Sequence, residues 1–321
     1  MAPFNWEFDS DIGVYKNRYL SDKMLVSSLV ETKIVPFTSK VEGFGKQQGE
    51  WVNIMHVNEL PQPADARLDE ETRIPIDKIT YGERPIKVYD WGRGCEYTDL
   101  AVQLGKFDPA SVIQKALMRQ MNGAMDTAAA DAFQNTDVKI CFVPTAADAG
   151  TFYTTGSPGG AAAASNITFV HMGILADYLS GDIHCPPYTG EDYIMLSCRK
   201  TLRGLKSDSL WQNVHLYLQK GDLFFKGENG KAENIRCVQV DREEAISNTA
   251  GASAVLGDAM VFGDEAVSRV EVMTPQLFAD PNYQSDFGRT KAIAWRGIIS
   301  FASTWNVADD RKAKVIRITS T

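Results

Sequence analysis

The stretch FDPASVIQKALMRQMNGAMDTAAADAFQN, residues 107 to 135, constrains the fold more than any other part of this chain. Asp108 is placed to cap a helix and Pro109 to open it, because proline lacks the N–H that the first turn leaves unpaired anyway. Val112, Ala116, Leu117, Met121, Ala124, Met125, Ala128, Ala132 and Phe133 then recur at helical spacing. At 1.5 Å per residue the predicted helix runs roughly 40 Å, well beyond the mean of about 11 to 12 residues in globular proteins. Its alanine-rich C-terminal half predicts close packing against other elements.

A second stretch, ARLDEETRIPIDKITYGERPIKVYDWGRG at 66 to 94, carries the opposite signal. Ile74 and Ile76, Ile79 and Tyr81, and Ile86 and Val88 alternate as in a pair of strands. Charges of both signs are interspersed, where a half-buried strand keeps polar residues to one face. Pro75 and Pro85 cannot donate to a ladder, which places the segment at an edge or in an isolated ribbon. The charged residues Arg67, Asp69, Glu70, Glu71, Arg73, Asp77, Lys78, Glu83, Arg84 and Lys87 are therefore expected to face solvent or a partner rather than the chain's own core. An extended element that cannot bury its surface within one subunit implies a neighbour that does so.

The remainder reads as follows. Residues 1 to 48 form a mixed N-terminal arm, with a short amphipathic helix predicted from Leu20 to Lys33 and Ser21 or Asp22 as its cap. Strands are predicted at 137–144, 192–198, 235–241 and 253–263. The segment 167–182 is read as a second helix capped by Thr168, and 199 onward as helix and turn. The end alternates again in KAIAWRGIISFASTW and AKVIRIT. TAADAGTFYTTGSPGGAAAASN is read as a small-residue loop. This order lacks the strand–helix beat of a nucleotide-binding sheet, and the class is α+β.

Composition removes several functions. The 321 residues carry a net charge of −8. Lys and Arg are scattered, so sequence-specific nucleic-acid recognition is not expected. No apolar run approaches the eighteen or so residues that cross a bilayer. The first twenty residues lack the basic and apolar regions of a signal peptide, so neither secretion nor a membrane partner is expected. Five widely spaced cysteines, with no Cys-x-x-Cys pair, are read as buried free thiols. GFGKQQG lacks the phosphate-loop spacing, and TGSPGG is not a nucleophile elbow. His184 beside Cys185, with Cys198 beyond, and the acids Asp69, Glu70 and Glu71 are the only metal-ligand candidates. Both fit a turn or a solvated charge run better, so no catalytic residue, metal or cofactor is predicted.

Four segments resemble tailed-bacteriophage major capsid proteins of the HK-97-like fold, and among them the N-four type. GEWVNIMHV with YGERPIKVYDWGRGCEYTDLA resembles the extended loop, and FDPASVIQKALMRQMNGAMDTAAADAF the spine helix. YIMLSCRKTLRGLKSDSLWQN with GDLFFKGENGKAENIRCVQVD resembles the axial domain. SAVLGDAMVFGDEAV with QSDFGRTKAIAWRGIISFASTWN resembles the closing strands. The polar turn GDLFFKGENGKAENIR and the loop GTFYTTGSPGGAAAAS depart from the family pattern.

The resemblance implies an N-terminal arm (1–48), an extended β-hairpin loop (49–97), and a peripheral domain with its spine helix (98–165). A mainly axial domain (166–262) and returning C-terminal strands (263–321) complete it. It implies subunits that assemble as hexamers and pentamers into an icosahedral virion shell around double-stranded DNA, built in the bacterial cytoplasm. Portal, scaffolding and cement or decoration proteins are the implied partners. As part of the extended loop, the charged residues from Arg67 to Lys87 are implied to be inter-subunit contacts. In some members a Lys–Asn isopeptide cross-links the subunits; Lys78 and Lys87 lie in the extended-loop region, and no such bond is predicted here. The alternatives are a metal-dependent α+β enzyme and another virion structural protein such as a decoration protein.

Overall fold

The computed structural model describes residues 32–41, 44–45, 47, 49–57, 60, 63, 67–68, 70, 73–105, 108–142, 150–153, 167–217, 228–240, 242, 244–247, 257–280, 287, 289–305 and 314–319. The arm helix expected to start at Leu20 lies outside them up to residue 31.

In chain order the elements are β1 (Ser39–Lys40), β2 (Trp51–Val57), β3 (Tyr81–Lys87), β4 (Tyr89–Thr98), α1 (Asp99–Leu104), α2 (Pro109–Gln134), β5 (Lys139–Phe142), β6 (Gly150–Tyr153), α3 (Phe169–Asp177), β7 (Tyr193–Ser197), α4 (Arg199–Ser207), α5 (Ser209–Tyr217), β8 (Glu228–Ala232), β9 (Ile235–Gln239), β10 (Ala259–Phe262), β11 (Val267–Asp280), β12 (Thr290–Ser303) and β13 (Val315–Ile318). A 3-10 turn at Val35–Phe37 precedes β1, and one π turn, Tyr178–Asp182, extends α3.

The strands form three sheets: a four-stranded β1-β11-β12-β4, a seven-stranded β6-β5-β13-β10-β7-β9-β8, and the isolated pair β2-β3. In the seven-stranded sheet, β7 (YIMLS) is buried at every position, as a central strand covered on both faces must be. One face packs Met195, Cys237, Val261 and Ile316 against Met172, Leu175 and Leu179 around α3, Leu202 and Leu205 of α4, and Trp211 of α5. The other packs Leu196, Met260 and Phe262 against Phe133 of α2, with ring centroids of Phe133 and Phe262 4.5 Å apart.

Helix α2 joins the sheets. Asp108 caps it, accepting from Ala110 N and Ser111 N at 3.2 and 3.3 Å. Over its first two-thirds it sets Leu117 and Met125 against Ile293, Trp295 and Ile299 of the four-stranded sheet. Its alanine-rich half, Ala129, Ala130, Ala132 and Phe133, is buried against the other sheet. Small side chains let the backbone approach closely there. Of the positions expected inside, Ala116 is exposed and Ala128 half-buried, whereas Asp126 is buried. The axis of apolar contact rotates along the helix because two sheets flank it.

Three local expectations change. The small-residue loop contains β6, which pairs with β5 through Lys139↔Tyr153 to Phe142↔Gly150. The segment 267–280, in which no strand was predicted, is a fourteen-residue strand. Of the five cysteines, Cys95 is exposed, because it lies on the edge strand β4, while the other four are buried.

Candidate inter-subunit surface

The β2–β3 ribbon pairs Trp51↔Lys87, Asn53↔Pro85, Met55↔Glu83 and Val57↔Tyr81 on one face, and Val52↔Ile86, Ile54↔Arg84 and His56↔Gly82 on the other. The second face turns inward. Ile86 is buried, and the His56 ring lies 4.9 Å from the Trp305 ring beyond the end of β12. A Cβ at Gly82 would collide with the His56 imidazole, so glycine is what lets that ring lie flat on the ribbon. The Trp305 ring in turn carries the Lys314 ammonium 5.0 Å from its centroid.

The first face is open and carries exposed apolar side chains among the polar Asn53, Glu83 and Lys87. Met55 is 73% exposed and Tyr81 66%, and Trp51 and Val57 are also exposed. At its base Lys87 Nζ sits 5.5 Å over the Trp51 ring and 3.9 Å from Glu50. Residues 73–80 lead into β3 without strand or helix, and Ile74, Ile76 and Ile79 all point to solvent, Ile76 at 77% exposure. Contiguous exposed apolar side chains of this extent are uncommon on a subunit that stays alone.

These positions correct the expected pairing within 66–94. The ribbon strands are 51–57 and 81–87, so Ile74, Ile76 and Ile79 hold no ribbon. Pro75 removes a ladder donor in that segment, and no described strand pairs with it. Residues 89–98 belong instead to the body, as the edge strand beside β12. Gly92 and Gly94 make that pairing close, since Cβ atoms there would meet Trp295 O at 2.9 Å and Ala294 Cβ at 3.0 Å.

Of the expected contact residues, Arg67, Glu70, Arg73, Asp77, Lys78 and Glu83 are exposed. Arg84 and Lys87 are half-buried, and Arg84 lies on the inward face, with its buried Nε unpaired. Asp69 and Glu71 lie outside the described residues. Sequence reading missed Trp51, Met55 and Val57. The signal was present: EWVNIMHV is apolar at both parities, which asks for cover on both faces.

One ion pair braces the ribbon's root and another the far end of β4. Arg296 donates to Asp90 from Nε and Nη2, at 3.1 and 2.7 Å, across the β12–β4 pair. Its hydrogen bond holds the Asp90 carboxyl below the usual range. Lys291 Nζ lies 2.7 Å from Asp99 Oδ1, and that hydrogen bond, with one from Gln103, likewise lowers Asp99.

His184, Cys185 and Cys198 do not form a metal site, and of the candidate acids only Glu70 lies among the described residues. His184 is exposed with φ +53°, and its Nδ1 lies 3.1 Å from Ser180 O. Cys185 and Cys198 belong to different hydrophobic clusters. Burial pushes the Cys185 thiol up to about 11. Among the described residues no group of three His, Cys, Asp or Glu side chains could hold a metal ion, and no helix is long and apolar enough to cross a membrane.

No protein-family model matches the sequence, and no curated protein matches it. Solved structures match along its length. A chain of the cyanophage Pam1 capsid asymmetric unit has a TM-score of 0.73 at 13% identity, covering 100% of this chain and 99% of that one. A chain of the head of Helicobacter pylori bacteriophage KHP40 has a TM-score of 0.69 at 12% identity, covering 99% of each. The capsid of Ralstonia phage GP4 gives 0.62 at 13%, covering 100% and 99%. With its ribbon, long spanning helix and two sheets, the chain has the fold of tailed-phage capsid proteins, the HK-97-like α+β fold that its sequence resembles.

Proposed function

We propose that this chain is the repeating subunit of a phage head, assembling as hexamers and pentamers into an icosahedral shell around double-stranded DNA. The observation that carries the reading is the set of exposed apolar side chains on the β2–β3 ribbon and its approach, attached to a body with a capsid-protein fold. A single subunit leaves Met55, Ile76 and Tyr81 in water, and a neighbouring copy is the partner that would cover them in every subunit at once. Exposed charges such as Arg67, Glu70, Arg73 and Lys78 then set register and orientation more than affinity. Scaffolding, portal and cement proteins are the partners such a shell would use during assembly. The reading assigns the chain no catalytic step.

Electron microscopy of the purified chain tests it. Shells, tubes or ring-shaped capsomers are expected. Replacing residues 60–79 with a short Gly/Ser linker is expected to abolish them while leaving the circular-dichroism spectrum and cooperative unfolding of the body in place. A chain that stays monomeric under all assembly conditions, or a linker variant that still forms normal shells, would overturn it.

A further inference from the structure

We propose that the outer face of α4 is a sequence-independent contact for the phosphate backbone of double-stranded DNA. It rests on the reading of the chain as a shell subunit, and names a surface of that shell that would meet its contents.

The sequence around α4 is RKTLRGLKS. Arg199, Lys200, Arg203 and Lys206 place four cations in eight residues, and the helix contains no acid. At 3.6 residues per turn they fall within an arc of about 120° over roughly 10 Å of axis. Arg199, Arg203 and Lys206 are exposed and Lys200 half-buried. The opposite face, Thr201, Leu202, Gly204 and Leu205, is buried, and Thr201 Oγ1 donates to Gly257 O at 2.8 Å, so the helix cannot roll to hide its charges. The row is therefore fixed by the core beneath it.

Among the described residues, no carboxylate pairs with three of these four cations, Arg199, Lys200 and Arg203. Arg199 and Lys200 also occupy the first turn, where the helix dipole already presents positive charge and disfavours more. The nearby carboxylate of Asp208 is engaged by backbone, accepting from Phe169 N and Leu210 N at 2.8 and 3.0 Å. Against a net charge of −8 for the chain, a concentrated cationic face of this kind is a local exception.

The chemistry favours phosphate over a protein carboxylate cluster. The cations form a short line along one helix face rather than a pocket. A line of point charges suits a regular row of phosphates and reads no bases. One subunit would contribute a weak contact, and many identical subunits facing one polymer would sum them. Weakness per subunit is compatible with later release of the DNA.

The test is fluorescence anisotropy of a labelled duplex of about 30 bp with the unassembled full-length chain, from about 20 to about 200 mM salt. Wild type is expected to bind with log K falling against log salt with a slope of about −3, as three to four neutralised phosphates require. R199Q/K200Q/R203Q is expected to bind at least about tenfold more weakly at the lowest salt, with a slope shallower than about −1. The control K40Q/R93Q/K115Q removes the same number of exposed cations elsewhere and is expected to match wild type within about twofold. Equal affinity and slope for the α4 variant, or tighter binding of poly-L-glutamate than of duplex, would overturn the assignment. Microscopy of the same α4 variant separates the two readings. Normal shells with unchanged DNA binding defeat only this surface. A wild type that binds DNA through α4 but never forms shells defeats the shell and leaves the surface standing.

Discussion

Asp126 is the residue that sequence periodicity explains least and the structure explains best. It lies 1% exposed on a helix face that is otherwise apolar. A carboxylate there is costly unless its oxygens are satisfied. Three backbone donors do so: Ile34 N at 2.8 Å and Lys33 N and Val35 N at 3.2 Å each. Asp126 thus fixes the root of the N-terminal arm onto α2. D126A is expected to lower the unfolding free energy by about 2–4 kcal/mol, since three donors lose their acceptor together. D126N, which keeps one oxygen, is expected to lose roughly half as much. Urea unfolding at constant slope measures both, and wild-type stability in D126A would refute the role. Asp192 makes a pH prediction. It is buried, and burial alone would raise its pKa. Hydrogen bonds from Lys231 and Arg236, the latter 2.6 Å from Oδ2, outweigh burial and lower it below the ordinary 3.8. A carboxyl depressed on folding stabilises the native state above its unfolded pKa and loses that contribution as pH falls through the folded one. Part of the acid-induced loss of stability below about pH 3.8 therefore belongs to Asp192. D192N is expected to be less stable at pH 7 and to show a flatter acid limb in pH-dependent unfolding. An acid limb identical to wild type would remove Asp192 from the account.

At the scale of elements, the longest strand pair is held by a local irregularity. In β11–β12, Met273 pairs with Ile298 and Gln276 with Arg296, so Thr274 and Pro275 together oppose Gly297. A bulge is where a strand can carry a proline without losing a ladder bond. Gly297 supplies the room, since a Cβ there would lie 2.7 Å from Pro275 Cγ and 2.8 Å from its Cα. G297A is expected to cost about 1–3 kcal/mol as an overpacking substitution. In G297A/P275A the Cγ contact is gone but the backbone contact remains, so only part of the loss should return. Additive losses in that double-mutant cycle would show that the two residues do not oppose each other. This bulge and a second at Val272, between Glu271↔Ile299 and Met273↔Ile298, explain why this strand was illegible. Two extra residues within six break the alternation, and an internal proline argues against a strand, so VSRVEVMTPQLFAD shows no single period. Helix α2 was legible because its cap, its opening proline and its spacing agree at every level. β7 was legible for a similar reason, as a short apolar run. In β6, GTFY sits among small residues that mask so short a strand. The helix predicted at 167–182 was right in extent, and its last turn widens to a π turn for which no residue type gives notice.

For the whole molecule, what the sequence could disclose of the contact surface was its charge, and what it could not was which apolar residues stay uncovered. A period tells which residues share a face, but not whether that face meets the same chain or another copy. Ile74, Ile76 and Ile79 fit a ribbon core on paper, yet they stand in solvent, while Val52 and Ile86 take the covered positions. This changes where the assembly energy is expected to reside. An exposed ion pair contributes about 0–1 kcal/mol, partly screened by salt. Fully burying one large apolar side chain contributes about 1.5–3 kcal/mol. If a neighbouring copy covers the ribbon, three apolar truncations should outweigh two charge reversals. M55S/I76S/Y81S is therefore expected to abolish shells at concentrations where R67E/R73E only reduces their yield and makes that yield more sensitive to salt. Arg84 is left out of the comparison because it lies on the inward face, where reversal would disturb the subunit itself. Sedimentation and microscopy, on variants shown to keep wild-type unfolding transitions, compare the two directly. The opposite order, with apolar truncation tolerated and charge reversal fatal, would place the contact in the ion pairs and leave the exposed apolar side chains without a role in assembly.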